Sequence, residues 1–89
     1  MKVIKQDIAH GDTRYSVFGR DEQTPLVTVD VFDNMPSITI ELSRHGMTAR
    51  EAIEHAQAIL VGVDILTALN EGTSVQPGDI LGYEKEQHD

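Results

Sequence analysis

An 89-residue chain without cysteine has room for one domain with a modest core, and it excludes disulfides and thiolate metal centres. Seven Lys and Arg stand against 15 Asp and Glu, a formal net charge of −8, which disfavours a phosphate backbone as direct ligand because such binding depends on clustered cations. The acids are dispersed, with no run of five, so solubility accounts for the charge, with steering towards a basic protein surface as the functional alternative.

In chain order, residues 3–8 suit a first strand. His10-Gly11-Asp12-Thr13 supplies turn chemistry, and residues 14–18 suit a second strand that closes a hairpin. After a polar loop over 19–24, Pro25 stands at a strand entrance, where its missing N–H does least harm. The third strand, 26–32, alternates cleanly. Val27, Val29 and Val31 share one face and Thr28 and Asp30 the other, the period of a sheet with one wet side. Asp33-Asn34-Met35-Pro36 joins it to a fourth strand over 37–42, with Ile38, Ile40 and Leu42 facing one way and Ser37, Thr39 and Glu41 the other.

Ser43-Arg44-His45-Gly46 breaks that alternation, and a helix begins. Thr48 as N-cap with Glu51 three residues on forms a capping box, and Met47 can staple over Ala52. Ile53, Ala56, Leu60, Val63 and Leu66 form one stripe, expected to lie on the sheet while Arg50, Glu54 and Gln57 stay wet. Ile59, Ile65 and Leu69 lie off that stripe, which implies a second buried surface. A partner, a second protomer, or a returning tail carrying Val75, Ile80, Leu81 and Tyr83 would supply it. Gly62 marks a bend or a tight contact in the helix interior. Asn70-Glu71-Gly72 ends the helix, and Gln76-Pro77-Gly78-Asp79 turns into a fifth strand, Ile80-Leu81-Gly82-Tyr83, before a charged tail. The expected fold is a single α+β domain: a small antiparallel sheet of four to five strands with one long helix on one face, in the order ββββαβ.

Chemistry is sparse. Glu51, Glu54 and His55 resemble half of a helical zinc motif, but the second histidine is absent, and a capping Glu51 beside a solvated His55 accounts for the spacing. His10, His45, His55 and His88 are scattered, no serine stands in a Gly-x-Ser-x-Gly context, and the glycines after residue 71 lack a phosphate-loop pattern. The best enzymatic reading has Asp30, Asp33 and Glu41 converging on the wet face of the central hairpin to hold a divalent ion or exchange protons. Against it stands the default, that exposed acids solvate such a face. Phe18 and Phe32 face away from the valines, either as an exposed anchor for a protein partner or at the edge of the core. The longest purely apolar run, 58–63, is far short of the ~20 residues of a membrane span. With a polar start at residues 1–7, it suggests a cytoplasmic protein without a membrane partner.

Residues 37–42 followed by His45-Gly46-Met47-Thr48-Ala49-Arg50-Glu51-Ala52 resemble the strand-to-helix step of HicB-type antitoxins, which carry Thr-x-x-Glu-Ala there. That resemblance implies a dimeric antitoxin-like module. In size, acidity, lack of cysteine and architecture the chain is also similar to small phage-encoded anti-defence proteins, anti-CRISPRs among them, which implies an inhibitor that occupies a surface of a bacterial defence complex. The expectation is therefore a non-catalytic protein-binding module with no cofactor and no metal. It would contact a protein partner through Phe18, Asp30, Phe32, Asp33, Glu41, Ile65 and Leu69, with a homodimer through the C-terminal half of the helix as a further possibility.

Overall fold

A computed structural model of the chain describes residues 1–41, 46–72 and 75. The polypeptide runs β1 (Lys2–Asp7), a 3₁₀ turn (Ala9–Gly11), β2 (Thr13–Phe18), β3 (Val27–Phe32), β4 (Met35–Ile40) and α1 (Ala49–Asn70). The strands form one antiparallel meander in the order β1-β2-β3-β4, so β1 and β4 are its edges. This is the α+β fold that the alternating strands and the capped helix predict. The expected fifth strand, Ile80-Leu81-Gly82-Tyr83, and the turns at 43–46 and 76–79 lie wholly or partly outside the described residues.

Local chemistry explains the turns. His10 and Gly11 adopt φ of 66° and 78° between β1 and β2, and the Ile8 amide donates to the Asp12 carbonyl at 2.8 Å. Asp33 and Asn34, at φ of 51° and 63°, make a two-residue hairpin that tolerates left-handed residues, and Phe32 pairs directly with Met35. Met35 and Pro36 therefore belong to β4 rather than to the turn expected from the sequence. Proline fits there because β4 is an edge, where a missing donor breaks no central ladder.

Cross-strand register stacks the apolar residues on one face. Val3 opposes Val17, Val17 opposes Val27, Tyr15 opposes Val29, and Val29 and Val27 oppose Ile38 and Ile40 of β4. Val17, Val27, Val29, Ala58 and Ile65 are buried, and Val75 closes the cluster, its carbonyl accepting from the Tyr15 hydroxyl at 3.0 Å.

The helix lies on this face the other way round from the expectation. His55, Ala58, Val61, Gly62 and Ile65 are its buried residues, whereas Ile53, Leu60 and Val63 are 60%, 65% and 43% exposed. Close approach decides the orientation. A Cβ added at Gly62 would stand 2.6 Å from Val27 Cγ1 and 2.9 Å from Ile38 Cδ1, so only the Ala58–Gly62 face brings the helix near enough to fill the space above the valines. Gly62→Ala therefore lowers stability despite a gain of about 1 kcal/mol in helix propensity, because overpacking costs about 1–3 kcal/mol. Denaturant unfolding of the variant measures the difference, and a more stable Gly62→Ala would refute the close contact.

Both helix ends are capped as the sequence predicts. The Glu51 amide donates to Thr48 Oγ1 at 3.2 Å, the Thr48 amide donates to Glu51 Oε1 at 3.1 Å, and Gly72, at φ 77°, donates its amide to the Leu69 carbonyl at 3.0 Å. The Thr48 backbone amide, then the Thr48 side chain, hold the Glu51 carboxyl below its ordinary pKa. A lowered folded-state pKa contributes stability that is present above the ordinary carboxylate range and lost as pH falls through the folded value. Glu51→Gln is expected to flatten the fall in stability between about pH 5 and about pH 3, as read by denaturant melts across that range. An unchanged slope would show that the carboxylate is not engaged.

Candidate functional site

The sequence-predicted contact residues separate into four environments. Ile65 is fully buried and Leu69 is partly buried against the core; the most exposed large apolar residues of α1 are Ile53, Leu60 and Val63. Phe18 is buried at 9% exposure, while Phe32 stays 44% exposed beside Met35 at the hairpin tip. Asp30 accepts two hydrogen bonds from Arg14, at 2.6 Å from Nε and 3.2 Å from Nη2. That hydrogen bond, and then the charge of Asp30, raise the pKa of Arg14.

The three acids do not converge. Asp30 is engaged in mid-strand, and Asp33 sits in the β3–β4 turn, its amide donating to Asp12 Oδ1 at 3.4 Å. Glu41 follows the far end of β4, where its amide donates to the Leu26 carbonyl at 3.0 Å. Six residues of β4 lie between Asn34 and Glu41, about 20 Å of strand. Among the described residues no group of three or more His, Asp or Glu is placed to hold a metal ion.

Three features remain. The first is the outer stripe of α1. Ile53, Leu60 and Val63 recur at seven and three residues, so they line one side of the helix over about 15 Å. Charges on α1 are one cation, Arg50, against Glu51, Glu54 and Asp64. This helix is also long and apolar enough to cross a membrane by length and composition, with 28% of its most apolar window buried.

The second is a cleft of about 480 Å³ where β1, the 19–22 loop and the start of α1 meet, lined by residues including Lys2, Arg20, Glu22, Arg50 and Glu54. Lys2 Nζ lies 3.9 Å from Glu22, and the Arg20 backbone amide donates to Glu54 Oε2 at 3.2 Å.

The third is a half-open cleft of about 380 Å³ between the first turns of α1 and the Leu26–Glu41 end of the sheet. It is lined by Asp21, Leu26, Glu41, Met47, Glu51, Glu54 and His55. His55 is 8% exposed, and its Nε2 is buried without a hydrogen-bond partner among the described residues. The solvated His55 expected from the sequence is thus corrected, because the residue shares the inward face of α1 with Ala58 and Gly62. The small residues at 58 and 62 are the signal that would have shown it.

No protein-family model matches the chain, and neither a curated protein nor a solved structure matches it.

Proposed function

We propose that this chain is a non-catalytic protein-binding module of the inhibitor type, which docks the outer face of α1 onto a groove rimmed by lysine and arginine on its partner. The observation that carries this reading is the exposure of Ile53 at 60%, Leu60 at 65% and Val63 at 43% along one side of the helix, away from the face that packs on the sheet. An amphipathic helix laid into an apolar groove is read through anchors at such spacings.

Charge complementarity selects the occupant. A chain of net charge −8 is repelled by a second copy of itself and by an anionic lipid surface, and is drawn to a basic protein. Proteins that handle nucleic acid carry such surfaces, which supports a partner among nucleic-acid-processing or defence complexes. An antitoxin-like dimer is the second reading, favoured by the same exposed stripe if two copies were to pair through it.

The test combines three measurements on the purified chain: sedimentation equilibrium alone, co-sedimentation with anionic vesicles, and titration of a basic partner at rising salt. A monomer that ignores vesicles and binds its partner more weakly as salt rises supports the proposal. A dimer split by Leu60→Asp, or partition into vesicles, would overturn it.

A further inference from the structure

We infer that the cleft between β1, the 19–22 loop and the start of α1 is a carboxylate site, which receives an aspartate or glutamate side chain of the partner; this deepens the protein-binding reading and rests on it. The chain holds only seven lysines and arginines. Three of them, Lys2, Arg20 and Arg50, line this one cleft beside two acids, Glu22 and Glu54. The cleft therefore carries a local excess of one positive charge on a molecule of net charge −8.

Folding has already committed the two acids elsewhere. On α1, Glu54 stands four residues after Arg50, the spacing at which such a pair ordinarily meets along a helix. Its carboxylate is turned to the loop instead. Glu54 Oε2 accepts from the Arg20 backbone amide at 3.2 Å, and the same carboxyl fills the space beside Gly19, where an added Cβ would stand 2.6 Å from Glu54 Cδ. Glu22 lies against Lys2 Nζ at 3.9 Å. Among the described residues, neither the Arg20 nor the Arg50 guanidinium makes a hydrogen bond or an ion pair. The bond from the Arg20 amide to Glu54 holds the loop one helical turn from Arg50, so both guanidiniums border the same opening.

The chemistry of the occupant follows. A guanidinium is always charged, and its planar fork of N–H donors matches the two oxygens of a carboxylate. A monoanion cancels the local excess; a phosphate dianion exceeds it and meets repulsion from Glu22 and Glu54. Ile53, 60% exposed, and Met1 line the same cleft and offer an apolar wall to the aliphatic stem of an acidic side chain. The volume, about 480 Å³, is that of a side-chain or small-molecule pocket. Ile53 also begins the exposed stripe of α1, so an acid beside the partner's groove enters the cleft as the stripe docks. That acid sets the direction of the helix, because a reversed helix brings it towards Asp64, where like charges repel.

The experiment needs no partner. N-acetylglutamate α-methylamide is titrated into the ¹⁵N-labelled protein at fixed pH and ionic strength, and the Nε–Hε resonances of Arg20 and Arg50 are followed. The N-acetylglutamine analogue and inorganic phosphate serve as comparison probes. Saturable shifts of both resonances with the glutamate probe are expected, with binding of the glutamine probe at least about tenfold weaker. Arg20→Gln, which keeps the backbone bond to Glu54, and Arg50→Gln are each expected to weaken the glutamate probe about threefold or more. An unsaturable shift, equal binding of the glutamine probe, tighter binding of phosphate than of the glutamate probe, or full affinity in both variants would overturn the inference. Saturable binding of the glutamate probe by a chain that docks no basic protein would retain the site and reject the docking reading; docking without any response of either arginine would do the reverse.

Discussion

Replacing Ile65 with alanine is expected to lower the unfolding free energy by about 2–5 kcal/mol, whereas Leu60→Ala changes it by about 0.5 kcal/mol or less. The two residues are both large and aliphatic and stand five positions apart on one helix. Ile65 is wholly buried in the cluster of Val17, Val27, Val29 and Ala58, so alanine there leaves a cavity that the meander cannot collapse around. Leu60 is 65% exposed and leaves only water behind. For a domain of this size, whose total stability is of order 5–15 kcal/mol, the first change removes a large share. Denaturant unfolding monitored by circular dichroism measures both; equal losses would mean that the helix presents the other face to the sheet.

The second large effect concerns binding. Ile53→Asp and Leu60→Asp are each expected to leave the fold intact and to weaken docking to a basic partner by about 2 kcal/mol or more, roughly thirtyfold per residue. An aspartate on the outer face meets water in the free protein, so its cost to folding is confined to helix propensity. In the complex it would place an ionised carboxylate against an apolar groove, where burial without a partner is expensive. Calorimetric titration gives the affinity and a thermal melt verifies the fold. Full affinity in the double variant would remove α1 from the interface.

The contrast between Ile65 and Leu60 also marks the limit of what can be read from the residues. Alternation in Val27, Val29 and Val31 and the Thr48–Glu51 capping box sufficed for the sheet and for the helix start, because each is a local pattern with a local cause. The choice of helix face is not local. Residues 58–69 are apolar nearly all round, so helical periodicity marks two competing stripes with no basis for ranking them. The sheet chooses by volume, taking the face with Ala58 and Gly62 because the valines below leave no room for larger side chains. The same rotation buries His55 and frees Ile53, Leu60 and Val63, so the candidate docking face changed with it.

The acids show a second limit. Asp30, Asp33 and Glu41 read as one cluster only when strand length is ignored; in space the Asp33 turn and Glu41 lie at opposite ends of the β3–β4 hairpin. Glu41 instead meets Glu51, Glu54 and Asp21, residues 10, 13 and 20 positions away in sequence. Only the docking of α1 across the sheet brings them together, and no spacing in the chain encodes it. The Asp30 carboxylate, by contrast, is engaged by Arg14 across the β2–β3 pair, a pairing that follows once the register is known.

Site-specific photo-crosslinking tests the central claim most directly. A photoreactive side chain is placed at Leu60, on the outer face of α1, and in a second variant at Thr39, exposed on β4. Crosslinks from position 60 to a basic protein, lost when salt is raised and lacking from position 39, are the predicted result. Crosslinks to that protein from position 39 alone, or from position 60 only to a second copy of the chain, would contradict it.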